Sequence, residues 1–421
     1  MDTKIKRFTL FLTLIIVSVI VLVFTKKNEK TAYILLNSTH EYQKIALKST
    51  CPPGFKKNEK NECVTVTLYQ QYHKNNKAGM GGLQSGLPEN RDGFSPQQID
   101  LGRYLFFDPI LSADGTISCA SCHDPNQGFS DGLATSIGIG YQKLKRGAPS
   151  IWNVGFFKKL FWDGRSNNLE DQAAGPLFAT NEMGNTPENL LKTLNNIKNY
   201  RELFAKAFPT RAITDAIILD EILTSITAFE ASLISLNSRY DQYAHGYHDA
   251  LSAKEKEGMN IFRSFVARCA ECHTPPLFTN QQIAIIGSPE PEGVSFDPGA
   301  EIPFNDKTLR GGFKVPSLRN IEKTAPYMHS GKFKTLRETV QFYTNGRGHA
   351  VPKDEQLLIH WHIWEPQLTD DELDRLVDFL KTLTDESFMP IIPKTLPSGK
   401  AIPNKLEISP KNKSHIRKQL F

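Results

Sequence analysis

The sequence predicts a mainly α-helical chain built from two similar units and preceded by an N-terminal membrane anchor. Three observations carry that prediction. The pattern C-x-x-C-H occurs twice, at Cys119–His123 and Cys269–His273. Apolar residues recur at helical spacing over long stretches, while strand signals are weak and scattered. An uncharged apolar run from Phe8 to Phe24 opens the chain, with Lys4, Lys6 and Arg7 before it and Lys26 and Lys27 after it. At 421 residues the chain has room for two domains of ordinary size behind such a segment.

The anchor spans residues 1–25. At about 1.5 Å per residue the apolar run is at the short end of what crosses a bilayer. A cleaved signal peptide would end in a small-residue site such as A-x-A, and TKKNEK offers none. An uncleaved signal anchor is therefore expected. Lysines on both sides leave its orientation undecided by charge, and the cysteines decide it.

The six cysteines form three close pairs: Cys51 with Cys63, Cys119 with Cys122, and Cys269 with Cys272. The last two pairs each run directly into a histidine, which is the attachment pattern of c-type haem. Two thiols one helical turn apart bond the haem vinyl groups, and the adjoining imidazole reaches the iron. A zinc half-site would need two further ligands, and a thioredoxin-like redox pair would need a βαβ setting that these flanks lack. The expected architecture is thus two cytochrome c-like haem domains carrying two covalently bound haem c groups, with His123 and His273 as iron ligands. Such haem is attached outside the cytoplasm, which places the bulk of the chain in the periplasm, tethered to the inner membrane, with its N-terminus inside. In that oxidising compartment Cys51 and Cys63 are expected to close a small disulfide loop.

Residues 26–93 read as a tether, ending in the Gly-rich stretch Gly79–Gly93. The first haem domain covers 94–250, the second 251–390, and a basic tail 391–421. Within the first, Asp215–Leu236 carries Ile218, Ile222, Ile226, Phe229 and Leu233 as one apolar stripe. Ser252–Glu255 is a capping box opening the helix that leads toward Cys269, and Thr369–Glu372 is another, followed by Leu373, Leu376, Val377 and Leu380. The net charge of +5 is small and partly concentrated in the tail (Lys394, Lys400, Lys405, Lys411, Lys413, Arg417, Lys418), so no nucleic-acid surface is read from it.

Three segments together, LGRYLFFDPILSADGTISCASCHDP, FWDGRSNNLEDQAAGPLFATNEMG and VPSLRNIEKTAPYMHSGKFKTLRETVQFY, resemble the bacterial di-haem cytochrome c peroxidase and MauG family over residues 94–385. The resemblance implies a peroxidatic first haem and an electron-transfer second haem. It implies that Glu182 is the acid/base of peroxide cleavage, with Gln172 assisting and Pro176 lining the same pocket, and that Trp162 lies between the haems. For the second haem it implies a distal ligand fourteen residues beyond the histidine of PYMH. That position is Tyr343, where the peroxidases have methionine and MauG has tyrosine; Met328 and His362 remain rivals. It also implies a calcium ion between the domains, held by carbonyls of Thr324 and Pro326. Gly147 stands where the family has a calcium-binding asparagine, which weakens that site. Lys314 stands where the family often has an arginine near the haem propionates, so charge is kept and the fork is lost.

One reading needs no resemblance. No histidine occurs between His123 and His245, so the first haem is expected to be bound by His123 alone and to be open at rest. The expected activity is reduction of hydrogen peroxide with electrons from a small cytochrome c or another periplasmic carrier. The rivals are MauG-like oxidation of a protein side chain and a non-enzymatic membrane-tethered electron-transfer cytochrome. Against the first, Ala267 occupies the place of the surface tryptophan through which MauG oxidises its partner. The possibility of a homodimer stays open.

Overall fold

The computed structural model describes residues 45–67, 69, 87–346 and 348–403. The expected anchor therefore lies outside the described residues, among which no helix is long and apolar enough to cross a membrane. The chain divides into Met1–Ala46 and Leu47–Phe421, and all but the last two residues of the first unit lie outside the described set.

The segment read as a tether contributes structure of its own. Strands β1 (Phe55–Lys57) and β2 (Cys63–Thr65) pair antiparallel, with Lys57 opposite Cys63. Cys51 and Cys63 are joined as a disulfide. Cys63 is buried and its N–H donates to the Phe94 carbonyl at 2.7 Å, which fixes the loop to the core that follows.

Helix α1 (Pro96–Phe107) begins where Ser95 accepts from the Gln98 N–H and Gln98 returns a bond to the Ser95 N–H, with proline at its first position. After the first motif turn, α2 (Cys119–Cys122), come α3 (Leu169–Phe178), α4 (Pro187–Asn195), α5 (Lys198–Ala207) and α6 (Leu219–Ala231). Helices α1 and α6 cross at Gly102. A Cβ there would lie 1.8 Å from the Ser225 carbonyl oxygen, so only glycine lets the backbones approach this closely. Phe106, Phe107, Phe129 and Phe229 fill the core around that crossing, each burial contributing about 1.5–3 kcal/mol.

The second core repeats the device. After α7 (Arg239–Ala244), helix α8 (Ala253–Arg263) opens on the Ser252–Glu255 capping box. It is followed by the motif turn α9 (Cys269–Cys272), β3 (Ile283–Ile285), α10 (Glu301–Phe304), β4 (Gly312–Lys314), α11 (Leu336–Asn345) and α12 (Asp370–Lys381). Strands β3 and β4 pair antiparallel. Helices α8 and α12 cross at Gly258, where a Cβ would lie 1.9 Å from the Arg375 carbonyl oxygen. Phe262, Phe278 and Phe379 pack there.

Three local expectations change. Ile218 is the N-cap of α6 and is exposed, because the helix starts one residue later than its apolar stripe implies. Helix α8 stops at Arg263, and Ser264–Arg268 turn the chain before the second motif. The start of the expected tail is not free: Leu396 is buried in the first core, Ser398 Oγ donates to Asp108 at 2.8 Å, and the Ile391 carbonyl accepts from Arg103 at 3.1 Å. Apolar residues interspersed among the lysines, which charge counting ignores, hold residues 391–403 on the first core.

Candidate active site

Each motif sits on one short helical turn, so its two cysteines share a face and the histidine follows at the C-cap. Cys119, Cys122, Cys269 and Cys272 form no disulfides. Burial pushes all four thiols up, Cys122 and Cys269 to about 12, so they are neutral SH groups.

The two histidines are held alike. His123 Nδ1 lies 3.0 Å from the carbonyl of Phe129, and His273 Nδ1 lies 3.2 Å from that of Phe278 and 3.1 Å from that of Pro316. Both phenylalanines are fully buried and have positive φ, 61° and 54°, a conformation bulky residues adopt only when surroundings impose it. Burial lowers both imidazole pKa values, that of His273 to about 4. A neutral ring whose Nδ1–H is given to a carbonyl presents Nε2 as a metal ligand. The thiol pairs and the oriented imidazoles together fit covalent haem c.

A cavity of about 250 Å³ supports the fit. Cys269, Cys272, His273 and Tyr343 line it from the second core, Ser130, Trp152 and Phe157 from the first, and Trp162 joins them. The Trp162 indole N–H donates to the Gly147 carbonyl at 2.8 Å, and its ring stands edge-on to His329 at 6.4 Å. Lys314, on β4, also faces this space. It is 9 % exposed, its Nζ lies 5.1 Å over the Phe157 ring, and no carboxylate among the described residues pairs with it. Burial lowers its pKa to about 8. An unpaired buried ammonium beside the second-motif cavity suits a propionate.

Glu182 follows helix α3 in a loop folded back on its C-terminus: the N–H of Glu182 bonds the Ala179 carbonyl, that of Met183 the Pro176 carbonyl, and that of Asn185 the Leu177 carbonyl. From the other side Ile139 N–H bonds the Glu182 carbonyl at 2.8 Å. Glu182 comes within electrostatic reach of Cys122. Burial pushes its carboxyl up, and Arg165 nearby opposes that. Gln172 and Pro176, four residues apart on α3, share a helix face. Arg165 is paired with Asp163 at 2.8 Å, and its guanidinium carbon lies 3.5 Å from the centroid of the Phe161 ring. Together with Asp171 and Gly175, Arg165 and Phe161 line an open polar depression along α3.

The structure thus gathers Cys269, Cys272, His273, Trp162, Tyr343, Met328, His362, Thr324 and Pro326 around one cavity; Cys119, Cys122 and His123 do not line it, and Glu182 lies within electrostatic reach of Cys122. Tyr343 lies close enough to both second-motif thiols for their charges to raise its pKa further, after burial has raised it most. His362 Nε2 is taken by Glu271 at 2.8 Å.

Comparison with known proteins decides the family. The family model described as di-haem cytochrome c peroxidase matches residues 96–249, and that described as cytochrome c matches 256–384. The cytochrome c551 peroxidase of Nitrosomonas europaea is 36 % identical over 315 residues, covering 74 % of this chain and 86 % of that protein. This chain belongs to the di-haem cytochrome c peroxidase family. The methylamine utilization protein MauG of Methylorubrum extorquens is 32 % identical over 292 residues, with 69 % of this chain and 79 % of that protein covered. Among solved structures, a MauG-like protein associated with microbial copper homeostasis superposes with a TM-score of 0.63 at 31 % identity, covering 74 % of this chain and 94 % of that one. The diheme peroxidase BthA from Burkholderia thailandensis gives 0.60 at 27 %, covering 73 % and 90 %. Membership makes the chain an oxidoreductase with covalently bound haem c.

Several residues of the site are not visible in the motifs. Arg319 and Asp241 form a fully buried ion pair, 0 % and 1 % exposed, that also takes the Tyr69 hydroxyl. Arg319 further donates from Nε to the Pro276 carbonyl at 2.8 Å, gripping the loop behind His273. Arg146 bridges Asp163 and Asp297 at 2.7 and 2.6 Å, and His329 bonds Glu290 at 2.8 Å. Glu230, near Cys119, is buried with its Oε2 unpartnered, and burial pushes it up to about 8. Its one sequence signal is a lone acid within the apolar run TAFEASL.

Proposed function

We propose that the chain reduces hydrogen peroxide to water, with two electrons drawn from a periplasmic carrier such as a small cytochrome c. The observation that carries this reading is the half-buried Glu182, on a loop fixed by backbone bonds and within electrostatic reach of Cys122, its carboxyl pushed up by burial. When bound, the haem supplies an iron position open to peroxide and a store for electrons. The work of the chain's own groups is proton movement. Glu182 takes the proton from one peroxide oxygen and returns it to the other, which leaves as water. Gln172, on the same face of α3 as Pro176, offers its amide N–H to hold the peroxide. The balance is one hydrogen peroxide, two electrons and two protons to two waters.

On this reading His123 alone would hold the first haem iron, His273 with Tyr343 would hold the second, and Trp162 would carry charge between the two sites. Support for Tyr343 over Met328 is its closeness to both second-motif thiols. A calcium ion held by the carbonyls of Thr324 and Pro326, both of which line the cavity beside Trp162, is also part of the reading. A periplasmic, membrane-tethered location is likewise part of the reading; the Cys51–Cys63 disulfide supports its oxidising compartment.

The test is steady-state peroxide consumption by the haem-loaded protein and by Glu182→Gln. A loss of about 100- to 10,000-fold in the variant, with both haems still attached, supports the reading. Equal rates would leave Glu182 without its role.

A further inference from the structure

Beside the second motif lies an exposed aromatic cluster that the peroxide chemistry does not use. Phe265 is 82 % exposed and Trp361 73 %, with Val266 between them at 48 %. Single exposed apolar residues are ordinary, but a contiguous cluster marks an interaction site. This one is built. The Trp364 indole N–H donates to the Val266 carbonyl at 2.9 Å, fixing the two loops together. The Arg268 guanidinium lies 4.8 Å from the Trp364 ring, 5.7 Å from Trp361 and 6.0 Å from Phe265. Its Nε donates to the Phe265 carbonyl at 3.1 Å, and no carboxylate among the described residues pairs with it. Tryptophan, phenylalanine and arginine are the residues that dominate binding energy at protein interfaces.

The cluster is also joined to the haem site. The Trp361 ring centroid is 3.6 Å from that of His362. His362 lines the second-motif cavity, one of its ring nitrogens lies within 4.8 Å of Cys272 Sγ, and its Nε2 bonds Glu271 inside the motif turn. Other exposed apolar residues, such as Ile302 and Ile391, have no such connection.

We propose that this cluster is the docking surface for an acidic electron-carrier protein, and that electrons pass from it through Trp361 and His362 to the second haem. The carrier must present a carboxylate to Arg268 and an apolar face to Phe265 and Trp361. The inference rests on the reading that the second haem receives electrons. Each encounter oxidises the carrier by one electron and reduces the second haem by one. Two encounters, with two protons from solvent, match the conversion of one hydrogen peroxide to two waters.

The experiment uses the haem-loaded full chain and its Trp361→Ala and Phe265→Ser variants. Both side chains are exposed, so neither substitution removes core packing. Binding of a small acidic monohaem cytochrome c is measured by calorimetry at low and moderate salt, with a small basic one for comparison. The proposal expects tighter, salt-sensitive binding of the acidic protein, and at least a tenfold rise in its Kd in each variant. Electron transfer from it slows in parallel, whereas reduction by ascorbate and the direct reaction with peroxide stay unchanged. Failure of the acidic cytochrome to bind the unaltered chain, or equal binding to both variants, overturns the proposal. So does a variant that only turns a dimer into a monomer, which would make the face a contact between copies. Patch-dependent binding in a protein inert to peroxide would instead sink the peroxidase reading and leave the docking surface standing.

Discussion

Replacing Asp241 with asparagine isolates the most deeply buried charge interaction near the second haem. In the native chain the Arg319 guanidinium meets Asp241 through two bonds, Nη1 to Oδ2 at 2.5 Å and Nη2 to Oδ1 at 2.7 Å. Ser238 Oγ adds a third at 2.8 Å, and the Tyr69 hydroxyl a fourth. Asparagine keeps the shape and leaves Arg319 charged, buried and unpaired, which costs about 3–5 kcal/mol. The exposed pair Arg337–Asp374, 33 % and 60 % exposed, provides the contrast at about 0–1 kcal/mol. The double replacement Arg319→Met with Asp241→Leu removes both charges and recovers most of the loss. Burial alone would raise the Asp241 carboxyl, but the charge and hydrogen bonds of Arg319 outweigh it and hold the group below its ordinary value. The stabilisation is therefore present above the unfolded-state pKa, about 3.9, and is lost as pH falls through the folded value. Urea unfolding of the haem-loaded protein, followed by circular dichroism, measures all three variants. A cost below about 1 kcal/mol for Asp241→Asn, or a double variant no better than the single one, would refute the reasoning.

Three further outcomes are expected. Arg165 opposes the burial that raises Glu182, so Arg165→Gln moves the acidic limb of the peroxide rate profile to higher pH, as stopped-flow absorbance across pH would read. Glu230 is raised from 4.5 to about 8, so the folded state holds its proton more tightly and wild-type stability falls as pH rises through that window, by at most about 5 kcal/mol; Glu230→Gln flattens the curve in thermal melts taken from pH 4 to 9. Gly258→Ala forces a methyl into the Arg375 carbonyl, separating α8 from α12 at a cost of about 1–3 kcal/mol, measurable as a lowered urea midpoint with both haems attached.

How much of this was legible beforehand varies with the range of the signal. The haem motifs, the two capping boxes and the helical stripes are local, and a local pattern survives in one dimension; Ser252 and Thr369 cap helices α8 and α12 as their spacing predicts. Ile218 escaped because periodicity locates a stripe but not the residue where a helix begins. The glycines that let helices cross, Gly102 and Gly258, look like helix-weakening residues until their partners are known. The pairing of Arg319 with Asp241 joins residues far apart in the chain, and no pattern in either segment announces the other. The carbonyls of Phe129 and Phe278 that orient the histidines are backbone atoms, to which the sequence gives no name. Lysine counting sets residues 391–421 apart as a tail, whereas apolar residues such as Leu396 and Ile402 hold its described part, 391–403, on the first core.

The central claim is that the chain provides a haem open to peroxide at rest, with Glu182 to move the proton. The most direct measurement adds one equivalent of hydrogen peroxide to the oxidised, untreated haem-loaded protein and follows the high-spin ferric EPR signal. The account predicts that such a signal is present beforehand, disappears promptly with peroxide, and persists in Glu182→Gln. Absence of any high-spin signal, with no response to peroxide even after one haem has been reduced, would contradict it and leave an electron-transfer cytochrome.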